Sequence, residues 1–228
     1  MATNAKLLYA AAEEGNTTEV ARLTSRCNRT ANGEALGRAA LNSHVDCVNL
    51  LYPSSSQEGI QNALVWAAAH GHMDCVKLLI GNNDASSALL YAAGSGHTEC
   101  VRFLLNYVNV THKEHSDSAS RFSALANAAS NAHTDCVRLL VEVSTLEQIN
   151  HGLLCALYNG DMECMRILYP RCDIDAVEEE LREDDEDVDP IVWERMEELK
   201  SWAQKRLLED SVKTTQSGST LTSSSRKI

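Results

Sequence analysis

The chain has 228 residues, with 20 Lys and Arg against 32 Asp and Glu, a net charge of −12. That length supports a continuous core in one large domain or two small ones, and the acidic balance argues against a nucleic-acid-binding face. Eight cysteines in 228 residues fall far below the density of a disulfide scaffold, and the longest apolar run, Ala63 to Ala69, is too short to span a membrane.

From the N-terminus, Leu7 to Ala12 is too short for a signal peptide and is followed at once by Glu13 and Glu14. A pattern then begins faintly over Leu7–Leu23 and becomes clear over the next copy. That copy reads Ala35-Leu-Gly-Arg-Ala-Ala-Leu-Asn-Ser-His-Val-Asp-Cys-Val-Asn-Leu-Leu51. It returns over Ala63–Leu79, Ala88–Leu105 and Ala124–Leu140, and more weakly over Gly152–Leu168. Its cysteines, Cys47, Cys75, Cys100, Cys136 and Cys164, are spaced by 28, 25, 36 and 28 residues, with Glu19 in the same place in the first copy.

Each unit reads as two short helices joined by a tight turn. Leu36, Ala39 and Ala40 share one face of the first helix, and their small size lets a neighbouring helix approach closely. Gly71 or Gly96 ends that helix, and His-x-Asp/Glu opens the second. The acidic residues Asp46, Asp74, Glu99, Asp135 and Glu163 fall in the second helix's first turn, where they favour the helix dipole. Cys47, Leu50 and Leu51 form its buried face. Helix pairs this short cannot bury their apolar faces alone, so the units must stack.

The recurring A-L-x-x-A-A-x-x-G-H-x-D-C-V-x-L-L resembles the ankyrin repeat, across roughly residues 5–172 as six units (about 5–30, 33–58, 61–84, 86–110, 122–148 and 150–172). The usual T-P-L-H opening is reduced to Ala-Leu. Several units are 25–28 residues long, shorter than the family's 33. The resemblance places the missing residues in the projecting fingers between units, except for the stretch Asn106 to Ser123, which is long enough for a full finger. The fold class expected is therefore an all-α, ankyrin-like solenoid of helix-turn-helix units.

After Cys172 the composition changes: residues 1–172 carry a net −4 and residues 173–228 a net −8. Ile174, Val177 and Leu181 have helical spacing behind Asp173. Asp189-Pro190 reads as an N-cap and first-turn proline, opening a helix with Val192, Met196, Leu199, Ala203 and Leu207 on one stripe and Trp202 at its edge. Residues 173–210 are expected to be an acidic helical hairpin capping the stack. From Ser211 to Ile228, ten of 18 residues are Ser or Thr, the composition of a disordered tail.

No catalytic motif emerges, so the chain is expected not to be an enzyme and to need no cofactor. The H-x-x-C pairs His44/Cys47, His72/Cys75, His97/Cys100 and His133/Cys136 would need to converge in twos to hold zinc. The repeat accounts for them more simply, with the cysteine buried and the histidine in the turn. Successive cysteines are expected about 8–10 Å apart, beyond disulfide reach, as reduced thiols in a cytoplasmic, reducing setting. His112 and His115 read as solvated loop histidines. The N-x-S/T triplets at Asn16, Asn28 and Asn109 read as chance sequons.

Two columns are free of stacking duties. One reads Ala10, Arg38, Trp66, Tyr91, Asn127 and Cys155; one helical turn on, the other reads Glu14, Asn42, His70, Ser95, Asn131 and Asn159. They are expected to line the concave side, where Arg, Trp and Tyr are the residue types that dominate interfaces. The candidate partner-binding residues are thus Arg38, Asn42, Trp66, His70, Tyr91, Ser95, Asn127 and Asn131. The resemblance implies recognition of another protein by that face, by a chain expected to be monomeric and to bind neither nucleic acid nor membrane. The alternative is an acidic decoy for a basic protein, or a mimic of nucleic acid. It would use the run Glu178, Glu179, Glu180, Glu183, Asp184, Asp185, Glu186 and Asp187, although such a run is usually a solvated linker or helix face.

Overall fold

Asn16 and Asn28 show at once how local chemistry starts this fold. Each Oδ1 accepts a hydrogen bond from a backbone N–H three residues on, Glu19 at 3.1 Å and Ala31 at 2.8 Å, so these asparagines are helix N-caps. Ser56 and Ser123 repeat the device toward Gly59 and Ala126. Thr145 and Gln148 form a full capping box. The helices so started alternate along the chain as α1 (Ala2–Glu13), α2 (Thr17–Thr24), α3 (Arg29–Leu41), α4 (Val45–Leu51), α5 (Gln57–Ala69), α6 (Met73–Leu79) and α7 (Ser86–Gly94). They continue as α8 (Thr98–Thr111), α9 (Ala124–Ser130), α10 (Thr134–Leu140), α11 (Leu146–Asn159), α12 (Met162–Leu168), α13 (Ile174–Glu183) and α14 (Pro190–Ser219). The computed structural model describes residues 2–81, 83–111, 123–183 and 188–219.

Odd-numbered helices α1 to α11 pack side by side in one row, and even-numbered α2 to α12 in a second row behind it. The core lies between the rows. Leu36, Ala39 and Ala40 are buried there with Cys47, Val48 and Leu51, and the same positions are buried in every later unit. This is an all-α repeat solenoid, with no strand among the described residues. The acidic residues expected in the first turns of the second-row helices are all there: Asp46, Asp74, Glu99, Asp135 and Glu163.

The turn within each unit needs one residue with positive φ. Gly15, Gly71, Gly96 and Gly160 occupy it at 74°, 72°, 77° and 83°, and Ser43 and Ala132 at 62° and 58°. Over these turns sits the histidine of the next unit. A Cβ added to Gly71 would lie 2.6 Å from Nδ1 of His97. The histidines begin α4, α6 and α10 without capping them. Instead Nε2 of His44 donates to the Glu13 carbonyl at 2.9 Å, and Nε2 of His72 to the Leu41 carbonyl at 2.8 Å. The H-x-x-C histidines therefore stitch each unit to the one before, while their cysteines enter the core.

Between units the connections are short. Buried Asn32 bridges two of them, its amide donating to the Thr24 carbonyl at 3.2 Å and the Ser54 carbonyl at 3.3 Å. The stretch Asn106–Ser123 departs from expectation. Residues up to Thr111 continue α8, with Phe103 and Tyr107 ring to ring at 5.2 Å, because the apolar spacing of that helix runs on past Leu105. His112 and His115 lie outside the described residues.

Two helices, α13 and α14, follow the last unit and lie against it. Val177 and Leu181 of α13, with Val192, Met196 and Leu199 of α14, are buried against α11 and α12. Arg195 takes over the stitching role that a following unit's histidine would play: it overlies the Gly160 turn and donates to the carbonyls of Leu157 and Tyr158 at 2.7 and 3.0 Å. Leu207 does not join the stripe. It is 72% exposed, because α14 outruns the body it packs on, and the helix passes Ser211 to reach Ser219.

Candidate functional site

The outer face of α3, α5 and α7 carries an open groove of about 830 Å³. Its floor is made unusually low by glycine. Gly33 on α3 and Gly59 on α5 meet backbone to backbone, and a Cβ on Gly59 would lie 2.3 Å from Gly33 Cα. Gly37 continues the floor. There an added Cβ would meet only the Trp66 indole, at 3.8 Å. Trp66 and Tyr91 stand as exposed walls, 49% and 52% accessible, although the two residues are 25 positions apart in sequence. Glu34 and Glu58 bring carboxylates, and Gln61 and Asn62 bring amides.

Three of the eight candidate residues meet in this groove: Arg38, Trp66 and Tyr91. Arg38 is already engaged. Its guanidinium lies 3.0 Å from the Glu13 carboxylate, 3.5 Å from that of Glu34, and 5.1 Å from the centre of the Tyr9 ring. The second column has a structural duty that spacing did not reveal. Asn42, His70, Ser95 and Asn131 are the C-caps of α3, α5, α7 and α9. The amides of Asn42 and Asn131 donate to the carbonyls of Arg38 and Asn127 at 2.9 and 2.8 Å, and His70 Nδ1 bonds the Trp66 carbonyl at 3.0 Å. Each adds a side-chain bond to a carbonyl of the last turn; those of Arg38 and Trp66 also accept the backbone N–H of Asn42 and His70, at 3.3 and 3.2 Å. Asn127 is half-buried, and its side chain packs beside Gly94.

Glu34, Glu58 and Asn62 are groove residues that the sequence reading missed. They lie four residues before Arg38, Asn62 and Trp66 respectively, one helical turn along the same face. The recurring motif starts at Ala35 and Ala63, whereas α3 and α5 begin at Arg29 and Gln57, so these residues lie in opening turns that the motif does not include.

The acidic run is divided. Glu178 is held in the body, paired with Lys200 and, at 2.7 Å, with Arg182; these cations hold its carboxyl below the usual range. Glu179, Glu180 and Glu183 are exposed on α13. Asp184, Asp185, Glu186 and Asp187 lie outside the described residues.

A smaller hollow of about 110 Å³ lies between α11 and α13, where Cys155 Sγ is 3.8 Å from His151 Nε2. Burial pushes the Cys155 thiol up, so this pair does not present a thiolate nucleophile. Among the described residues no group of three His, Cys, Asp or Glu side chains converges to hold a metal, and no helix is long and apolar enough to cross a membrane.

Residues 36–114 match the family model for ankyrin repeats (three copies). Among solved structures, the human ASB11 ankyrin repeat domain matches with a TM-score of 0.57 at 22% identity, over 72% of this chain and 82% of that one. No curated protein matches the chain.

Proposed function

Since the chain is an ankyrin-repeat protein, we propose that it is a non-catalytic interaction module, binding a partner protein across the outer face of α3, α5 and α7. Ankyrin repeats in general serve protein–protein recognition. The observation that carries the reading is the exposed pair Trp66 and Tyr91 on a glycine-floored groove. Solvent-exposed large aromatics rimmed by polar side chains are the usual anchors of binding energy. A cytoplasmic location for a monomeric chain is part of the same proposal, since eight free cysteines with no disulfide suit a reducing compartment.

The test is partner retention by the full chain, measured beside thermal melting. Replacing both Trp66 and Tyr91 by Ala should weaken retention by about thirtyfold or more and leave melting nearly unchanged, because half of each side chain already faces water. Neutralising Glu179, Glu180 and Glu183 should leave retention intact. If only that second variant loses the partner, the groove reading fails and the acidic segment is the binding element.

A further inference from the structure

The charge around the groove has a sign that its aromatic walls do not explain. Glu34 and Glu58 line it, and Glu13 adjoins it through Arg38. Arg38 is the single cation among the lining residues, and it is shared between Glu13 and Glu34. Glu58 is exposed and pairs with no cation among the described residues. Lys6 occupies the register of Glu34 one unit earlier but does not line the groove. Three carboxylates against one guanidinium leave the site net negative, in a protein whose whole charge is −12.

Resting on the interaction reading above, we infer that the groove takes a basic peptide segment of its partner, with an arginine or lysine side chain over the faces of Trp66 and Tyr91. Exposed aromatic faces attract cations through their quadrupole, and guanidinium stacks on them well. The carboxylates of Glu34 and Glu58 supply the opposite charge beside those faces. Gly33 lets α3 and α5 close on each other, and at Gly37, where an added Cβ would meet only the Trp66 indole, an extended chain can approach the α3 backbone. An acidic segment would meet like charge, and a purely apolar one would leave the carboxylates facing it uncompensated.

A random-sequence peptide library displayed on phage, selected on the immobilised full chain at physiological salt, tests this. The retained peptides should be enriched in Arg and Lys. Their binding should fall about thirtyfold on the variant with Trp66→Ala and Tyr91→Ala, and about fivefold on the variant with Glu34→Gln and Glu58→Gln. Gly37→Leu keeps the walls and the charges but fills the floor, so it should also lose the peptides while melting no lower than wild type. Melting of every variant is checked in parallel, and any that unfolds is replaced by Trp66→Leu or Glu58→Gln alone. Retained peptides that require the aromatic pair but carry no basic excess would overturn the inference and leave the interaction reading standing. Peptides indifferent to the aromatic pair and to Gly37→Leu, or no enrichment at all, would overturn both.

Discussion

Ser43 and Ala132 hold positive φ where four of the six units use glycine. A left-handed L-residue is strained by roughly 1–2 kcal/mol, offset in part because glycine costs more chain entropy on folding. Ser43→Gly and Ala132→Gly should therefore each raise stability by about 0.5–1 kcal/mol in urea unfolding. Ala132 is spared an overlying imidazole, since Asp161 stands where the next histidine would be. Gly71 has no such freedom: Gly71→Ala adds a methyl against His97 as well as strain, and should lose about 2 kcal/mol. Thiol chemistry is a second test at this scale. Burial raises the thiols of Cys47, Cys100 and Cys136, and pushes Cys75 up to about 11 and Cys164 up to about 12. Thiolate is the reactive form. A thiol reagent at neutral pH should label half-buried Cys27 first, and these five only as the protein unfolds.

Where the shortened connections leave little backbone to join adjacent units, side chains do the joining. Asn32 holds carbonyls on both sides of α3, so Asn32→Ala should cost about 1–3 kcal/mol through the two acceptors it abandons. The His97 stitch adds a pH dependence. Burial chiefly, with His70, His72 and His133 nearby, lowers His97 below its ordinary value of 6.5. The unfolded chain then binds the proton more readily, so stability is fully present above that value and is lost as pH falls below it. Urea midpoints should be flat from about pH 8 to 7 and decline toward pH 5.5. His97→Gln should lower the plateau and flatten part of the decline.

For the whole molecule, the decisive element is the C-terminal hairpin. Its five buried residues contribute on the order of 10 kcal/mol of gross transfer free energy, and the two helices pack on α11 and α12. A chain ending at Cys172 should melt far lower or self-associate, as read by scanning calorimetry and light scattering. A truncated chain that stays monomeric with unchanged melting would mean that the hairpin does not hold the stack together.

The repeat architecture was legible because stacking imposes the same demands on every unit. A small residue must sit where helices touch, a turn-former where the chain reverses, and an apolar stripe where rows meet, so Leu36-Ala39-Ala40 and Cys47-Leu51 recur in recognisable places. The aromatic column was legible too, since Trp66 and Tyr91 fall where stacking asks for nothing. What only the tertiary structure decided was how those outward positions are shared out. The next column was read as equally free, yet Asn42, His70 and Asn131 bond their own helix ends. Arg38 is drawn into a carboxylate pair with Glu13 of the preceding unit, 25 residues away. The groove floor depends on Gly33 meeting Gly59 across two helices, and the cap depends on Arg195 reaching a turn 35 residues earlier. Periodicity reports which face of a helix a residue occupies. Which partner reaches it from another unit depends on the distances between helices, and these are set only when the units pack.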